Sequence, residues 1–154
     1  LQFLLKGDSR RDIEAYVIDD DTQRIDFARV QAWLASSYWS PGIESARVIR
    51  AAQHSALVVG VYRNGQNNEQ AAYLRVVSDC TTFAYICDVF VDEMHRGRGL
   101  GRAMVQFALD HPELQGLRRW LLATRDAHGV YGGIGFVPLE HAERWMIHLP
   151  DSAG

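Results

Sequence analysis

Cysteine is scarce in this chain of 154 residues. Cys80 and Cys87 are the only two, too few for a disulfide framework and without the CxxC spacing of a redox or zinc motif. Free cysteine is among the most buried side chains, so both are expected as buried free thiols. Long apolar runs are missing as well: no stretch approaches the roughly 18 residues of a membrane span. The opening LQFLLKGDSRRD carries charge where a signal peptide keeps its apolar segment. A soluble cytoplasmic protein with no membrane partner is the expectation. Positive charge is not in excess either, because the net charge is -3. The chain therefore has no general attraction for nucleic acid, and any arginine cluster has to act locally. The six histidines at 54, 95, 111, 128, 141 and 148 form no HxxxH or HxH set, so no metal is expected. His54-Ser55 is not a GxSxG elbow, and no hydrolase triad is visible.

What is present is an ordinary globular composition, 47% hydrophobic and 23% charged, consistent with one domain over residues 1–154. AYVI at 15–18 reads as a short strand before the acidic turn DDDT. Asp26 then opens a helix in which Phe27, Val30 and Leu34 recur at helical spacing beside Trp33. Pro41 and Gly42 break it, and ESARVIRAAQH resumes as a second helix with Ala46, Ile49 and Gln53 at helical spacing. Three strands follow, SALVVGVYRN, EQAAYLRVV and TFAYICDVFV, separated by the turns NGQNN and SDCT. Leu100, Ala103, Met104, Phe107 and Ala108 trace one face of a third helix that Pro112 ends. RRWLLAT reads as a strand, RDAHGVYGGI as a short helix, and GFVPL and ERWMIHL as two closing strands. With no repeat or linker, this order is a mixed α/β or α+β domain.

Between the strand ending in DVFV and the third helix lies HRGRGLGR, residues 95–102. The first turn of a helix leaves about four backbone N–H groups unpartnered and carries roughly half a positive charge, so an anion is stabilised there. Gly97, Gly99 and Gly101 leave amides bare, and Arg96, Arg98 and Arg102 can add charge-assisted bonds to phosphate. The named phosphate motifs fit poorly: no lysine follows as in GxxxxGK[ST], and GxGxG is not GxGxxG.

The spacing R-x-x-G-x-G formed by Arg96, Gly99 and Gly101 closely resembles motif A of the GNAT superfamily of acyl-CoA-dependent N-acetyltransferases. LLATRDAHGVYGGIGF resembles the family's later motif through Ala127, Tyr131, Gly135 and Phe136, and SYW and CDVFV are similar to a subgroup of small bacterial members. The resemblance spans about residues 14–149. It implies an α+β GNAT fold, with a mostly antiparallel sheet of six to seven strands splayed after the fourth and about four helices. It also implies transfer of the acetyl group of acetyl-CoA to a primary amine of a small molecule or exposed protein amine, by direct attack through a tetrahedral intermediate. A non-catalytic acyl-CoA-binding sensor is the alternative, and a homodimer is left open.

Carried onto this sequence, the resemblance implies that the backbone from Arg96 through Gly97, Arg98, Gly99, Leu100 and Gly101 to Arg102 holds the coenzyme A pyrophosphate. Val89, Phe90 and Val91 would pair with pantetheine as an added strand, with the N–H near Val91 facing the thioester carbonyl. Tyr131 would lie near the thioester sulfur. A tyrosine near pKa 10 gives its proton to a thiolate near 8.5 only at a cost of about 2 kcal/mol, so hydrogen bonding to the leaving thiolate is its expected role. Thr124 stands where many members carry asparagine. Asp88 is the candidate to accept the proton of the attacking amine, directly or through water; a carboxylate near pKa 3.9 is a weak base and is better suited to attracting and orienting the cation. Tyr38 and Trp39, in the break between the first two helices, would wall the acceptor side and attract a cationic amine by about 0.5 to 2 kcal/mol.

Overall fold

A computed structural model describes residues 8–151. By contacts the chain divides into two compact units, one ending at Ala123 and the other beginning at Thr124. The first holds a six-stranded sheet in simple chain order, β1 (Arg10–Ile13), β2 (Tyr16–Asp19), β3 (Leu57–Arg63), β4 (Gln70–Ser78), β5 (Phe83–Val91) and β6 (Arg119–Leu121). Every neighbouring pair is antiparallel except β5 and β6, which run parallel. Sequence alone does not reveal β1, because RRDI shows no apolar alternation; its strand geometry comes from pairing Arg10 with Asp19 through Ile13 with Tyr16. The strand that precedes the splay is the expected one, 83–91, counted fifth because of β1. The β4–β5 turn is tied by Asp79, whose Oδ1 accepts N–H bonds from Thr81, Thr82 and Phe83. The Thr82 hydroxyl, with these amides, holds the Asp79 carboxyl well below the usual carboxylate range.

Helices cover both faces of the sheet. On one face α1 (Phe27–Ala35) and α2 (Ser45–Gln53) bury Val30, Trp33, Leu34, Val48 and Ala52 in a cluster with Val58 and Tyr73. Asp26 caps α1 by accepting from the Arg29 N–H at 3.0 Å, and its own N–H donates to the buried Gln70 side chain at 2.8 Å. The buried face of α2 is Val48 and Ala52 rather than the expected Ala46–Ile49–Gln53 row, and Ile49 is exposed. The apolar spacing shows a helix, but which stripe is buried is set by where α1 and the sheet lie. On the opposite face α3 (Leu100–Leu109) buries Leu100, Met104, Val105, Phe107 and Ala108. Cys80 and Cys87 are free but only half-buried, contrary to expectation. Cys80 sits in the turn at φ +60°, and Cys87 lies in a part of β5 that β6 leaves unpaired.

Within β3, a Cβ at Gly60 would overlap the Tyr62 hydroxyl oxygen and lie 2.7 Å from the ring carbon that bears it. The Tyr62 ring therefore folds back over Gly60, and Arg24 stacks on it at 4.0 Å. Gly60→Ala is expected to destabilise the protein by about 1–3 kcal/mol through overpacking, read as a lower midpoint in urea at unchanged slope.

In the second unit α4 (His128–Gly132) is five residues long, shorter than the stretch RDAHGVYGGI suggested. The two closing strands expected at GFVPL and ERWMIHL do not form; a short 3-10 turn, Ala142–Arg144, is the regular element there. Strand geometry needs a ladder partner, and Pro138 also removes a donor. Neither segment has such a partner among the described residues, and Val137, Met146 and Ile147 are 73, 97 and 81% exposed.

Candidate functional site

The loop between β5 and α3 supplies the first half of the site. Gly97 and Gly99 hold φ of +78° and +74°, the left-handed region that disfavours other residues, and no atom lies within 4 Å of where their side chains would begin. The N–H groups of Gly97, Arg98, Gly99, Leu100 and Gly101 donate no hydrogen bond among the described residues. The first intrahelical donor is Ala103, bonded to Gly99 at 3.0 Å. Five successive bare amides at the start of a ten-residue helix form an anion cradle. Arg96 behaves differently from the rest of the octet. Its amide reaches Glu93 O at 3.4 Å, its Nε donates to Val91 O at 3.0 Å, and its guanidinium lies 5.4 Å from the centre of the Phe90 ring. It braces the end of β5.

The second half is the open edge of β5. Parallel pairing with β6 covers Phe83, Ala84 and Tyr85 and stops there, so Ile86 to Val91 have no partner on that side among the described residues. Asp92 N donates to Ala71 O at 2.8 Å. In an antiparallel ladder the neighbouring pair, Ala72 with Val91, then directs its N–H groups outward. The Val91 N–H consequently points away from β4 and into the opening. An irregularity between the Tyr73–Phe90 and Arg75–Cys87 pairs places Asp88 and Val89 opposite Leu74, with Asp88 at φ +57°. This bulge turns the Asp88 carboxylate toward the α1–α2 break.

There the side chains converge. Asp88 Oδ2 accepts from Arg75 Nε at 2.7 Å, and Oδ1 accepts from the Trp39 indole N–H at 3.0 Å. Arg75 also reaches the Ser55 hydroxyl through Nη1 at 3.4 Å. The break is shaped by Ser36 and Ser37, whose hydroxyls cap the last carbonyls of α1, and by Gly42 at φ +69°. Tyr38 meets Trp39 edge to face at 5.1 Å; Trp39 tilts against Phe90 at 6.5 Å, and Phe90 stacks on Trp33 at 5.5 Å. Burial opposes the Arg75 charge, but Asp88 and Cys87 more than offset this and raise its pKa. Burial pushes the Tyr73, Tyr85 and Cys87 groups up as well, and each of them senses both Arg75 and Asp88. The Tyr73 hydroxyl is buried without a hydrogen-bond partner among the described residues.

In the second unit, the Thr124 hydroxyl accepts from Ala127 N at 3.0 Å and so caps the turn into α4. Arg125 and Asp126 face each other at 3.9 Å, both exposed. Tyr131 is half-buried, with its ring edge-on to Phe136 at 6.0 Å.

Comparison with known proteins now bears on this geometry. The model of the acetyltransferase (GNAT) family matches residues 13–136. A crystal structure of a GNAT-family protein from Xanthomonas campestris pv. campestris is 39% identical, covers 88% of this chain and 93% of its own, and superposes with a TM-score of 0.81. This chain belongs to the acetyltransferase (GNAT) family. A protein of Gibberella zeae named "Putative acetyltransferase" is 29% identical over 76% of each chain. The structure of glucosamine-6-phosphate N-acetyltransferase from Arabidopsis thaliana, 18% identical, has the same fold at a TM-score of 0.62, over 90% of this chain and 99% of that one.

Two residues of this candidate site escape sequence reading, Arg75 and Tyr85. Arg75 lies within AAYLRVV, where the flanking residues are apolar and Tyr73 shares its face. A charge held amid apolar residues in a central strand was the available signal, since such a charge requires a partner. Tyr85 gave none, because an exposed aromatic near a strand end is common.

Proposed function

We propose that this protein is an acetyl-CoA-dependent N-acetyltransferase that acetylates a primary amine of a small molecule or an exposed protein amine. The observation that carries this reading is the coincidence of the five bare amides from Gly97 to Gly101 with the unpaired edge of β5. A diphosphate suits the first and an extended amide chain suits the second. The Val91 N–H is the donor for the thioester carbonyl oxygen as charge develops on it. The acceptor nitrogen attacks as the neutral amine; its C–N bond forms, the C–S bond breaks, and one proton from nitrogen ends on the thiol. Asp88, already holding a guanidinium and an indole N–H, serves to draw in and orient the amine rather than to remove its proton alone. Trp39 and Tyr38 form the aromatic wall beside it.

Tyr131 is assigned the hydrogen bond to the leaving thiolate. Tyr131→Phe is expected to lower kcat by about 10- to 100-fold, in the range of a positioned donor, with acetyl-CoA affinity changed less than twofold by calorimetry. The reading itself is tested by thiol release from acetyl-CoA across amino acids, polyamines, aminoglycosides and peptide N-termini. Amine-dependent release supports it; tight acetyl-CoA binding with no release for any amine would instead mark a sensor.

A further inference from the structure

We propose that the acceptor carries a carboxylate beside its amino group, as a free amino acid or an amino-acid conjugate does, and that Arg75 reads that carboxylate. This rests on the acetyltransferase reading of the same site and names its substrate class.

A count of donors and acceptors points this way. A guanidinium has five N–H donors. Arg75 commits Nε to Asp88 and one Nη1 hydrogen to Ser55, and Nη2 donates to nothing among the described residues. The Tyr73 hydroxyl, on the same strand face and in the field of the same ion pair, is buried and also has no partner among the described residues. The Tyr73 hydroxyl is thus a buried polar group whose partner a ligand could supply, and the uncommitted edge of Arg75 borders solvent, where a ligand oxygen could reach it. The side chains of Arg75 and Asp88 remain 19 and 11% exposed, so the pair borders solvent without being dispersed in it. Around it Tyr38, Trp39 and Tyr85 are 49, 41 and 40% exposed, more than core aromatics are.

Charge sets the class. Arg75 and Asp88 cancel, so an acceptor with only an ammonium would bring an uncompensated charge into a partly desolvated site. An acceptor with an ammonium and a carboxylate brings none, and its charges meet opposites: the ammonium the remaining lone pairs of Asp88, the carboxylate the free edge of Arg75. Charge-assisted bonds of this kind are about twice as strong as neutral ones. A phosphate, carrying nearly two negative charges, would leave the sum unbalanced.

The test measures thiol release from acetyl-CoA by the wild-type protein for each of the common amino acids, and for each one consumed, its decarboxylated amine and its methyl ester. O-Phosphoethanolamine and uncharged primary amines complete the panel. The expected result is a kcat/KM at least tenfold higher for the free acid than for its ester or decarboxylated partner, the difference lying in KM. In Arg75→Gln the preference is expected to shrink to within twofold, and in Arg75→Lys to be kept in part; thermal melts confirm that each variant is folded. The wild-type comparison stands even if neither variant folds. Amines without a carboxylate consumed as well as the acids, or O-phosphoethanolamine preferred to them, would overturn the proposal and leave the acetyltransferase reading intact. No release with any amine would overturn both.

Discussion

Gly99→Val is expected to weaken acetyl-CoA binding by at least about 100-fold, equivalent to roughly 2.7 kcal/mol, by titration calorimetry. Two causes add. The residue holds φ +74°, where a side chain costs about 1–2 kcal/mol, and a β-branched one is a clear outlier. The loop would relax toward negative φ and turn its amides out of register. Apart from its chain neighbours, no described atom lies within 4 Å of where a side chain at Gly99 would begin, so a valine would project into the cradle that a diphosphate would enter. Gly116→Val is the control. Gly116 has a nearly equal φ of +76° and equally open surroundings, but it precedes β6 and lies outside the loop. It should lower the melting temperature by a similar amount with coenzyme affinity kept. Equal loss of affinity in both variants would mean that general strain, not the cradle, governs binding.

Asp88→Ala carries the second large effect, and it should appear in stability and turnover together. Removing one partner of a buried pair costs about 3–5 kcal/mol; with Asp88 and Arg75 still touching solvent, roughly 2–3 kcal/mol is expected. Alanine at φ +57° adds about 1 kcal/mol. At about 2–4 °C per kcal/mol the melting temperature should fall by roughly 6–16 °C. Acetyl transfer should fall by about 100-fold in kcat/KM, since the Trp39 indole loses its acceptor and the amine its anchor. Asp88→Asn keeps an oxygen for Trp39 and tolerates positive φ, so it should recover most of the strain term and about one order of magnitude of activity. A melting temperature for Asp88→Ala within 2 °C of wild type would show that the ion pair does not hold the bulge.

The bare-amide loop between β5 and α3 was legible in the sequence because its geometry is local. The strand end at Val91, the glycines and the helix start at Leu100 follow one another directly in the chain, and no distant residue is needed to bare the amides. Asp88 and Trp39 were legible only as separate candidates, 49 positions apart. Arg75 was not read at all, because its role depends on a cross-strand neighbour, Cys87, and on the bulge that turns Asp88 toward it. The misplaced α2 face and the two unformed closing strands share this origin. In each case a periodic pattern was present and the partner that would use it lay elsewhere or was missing.

The sequence by itself determined the elements from Asp26 to Leu109, the glycine-rich loop between strand and helix and, through R-x-x-G-x-G, the family. Helix spacing, capping and glycine conformations act over a few residues, and for these the chain is its own context. The tertiary structure alone decided the order of the sheet, the residue at which β5 leaves β6, the bulge at Asp88 and the meeting of Arg75, Asp88 and Trp39. These depend on register, and a register is a relation between strands that a periodicity of two residues fixes only after the partner is chosen.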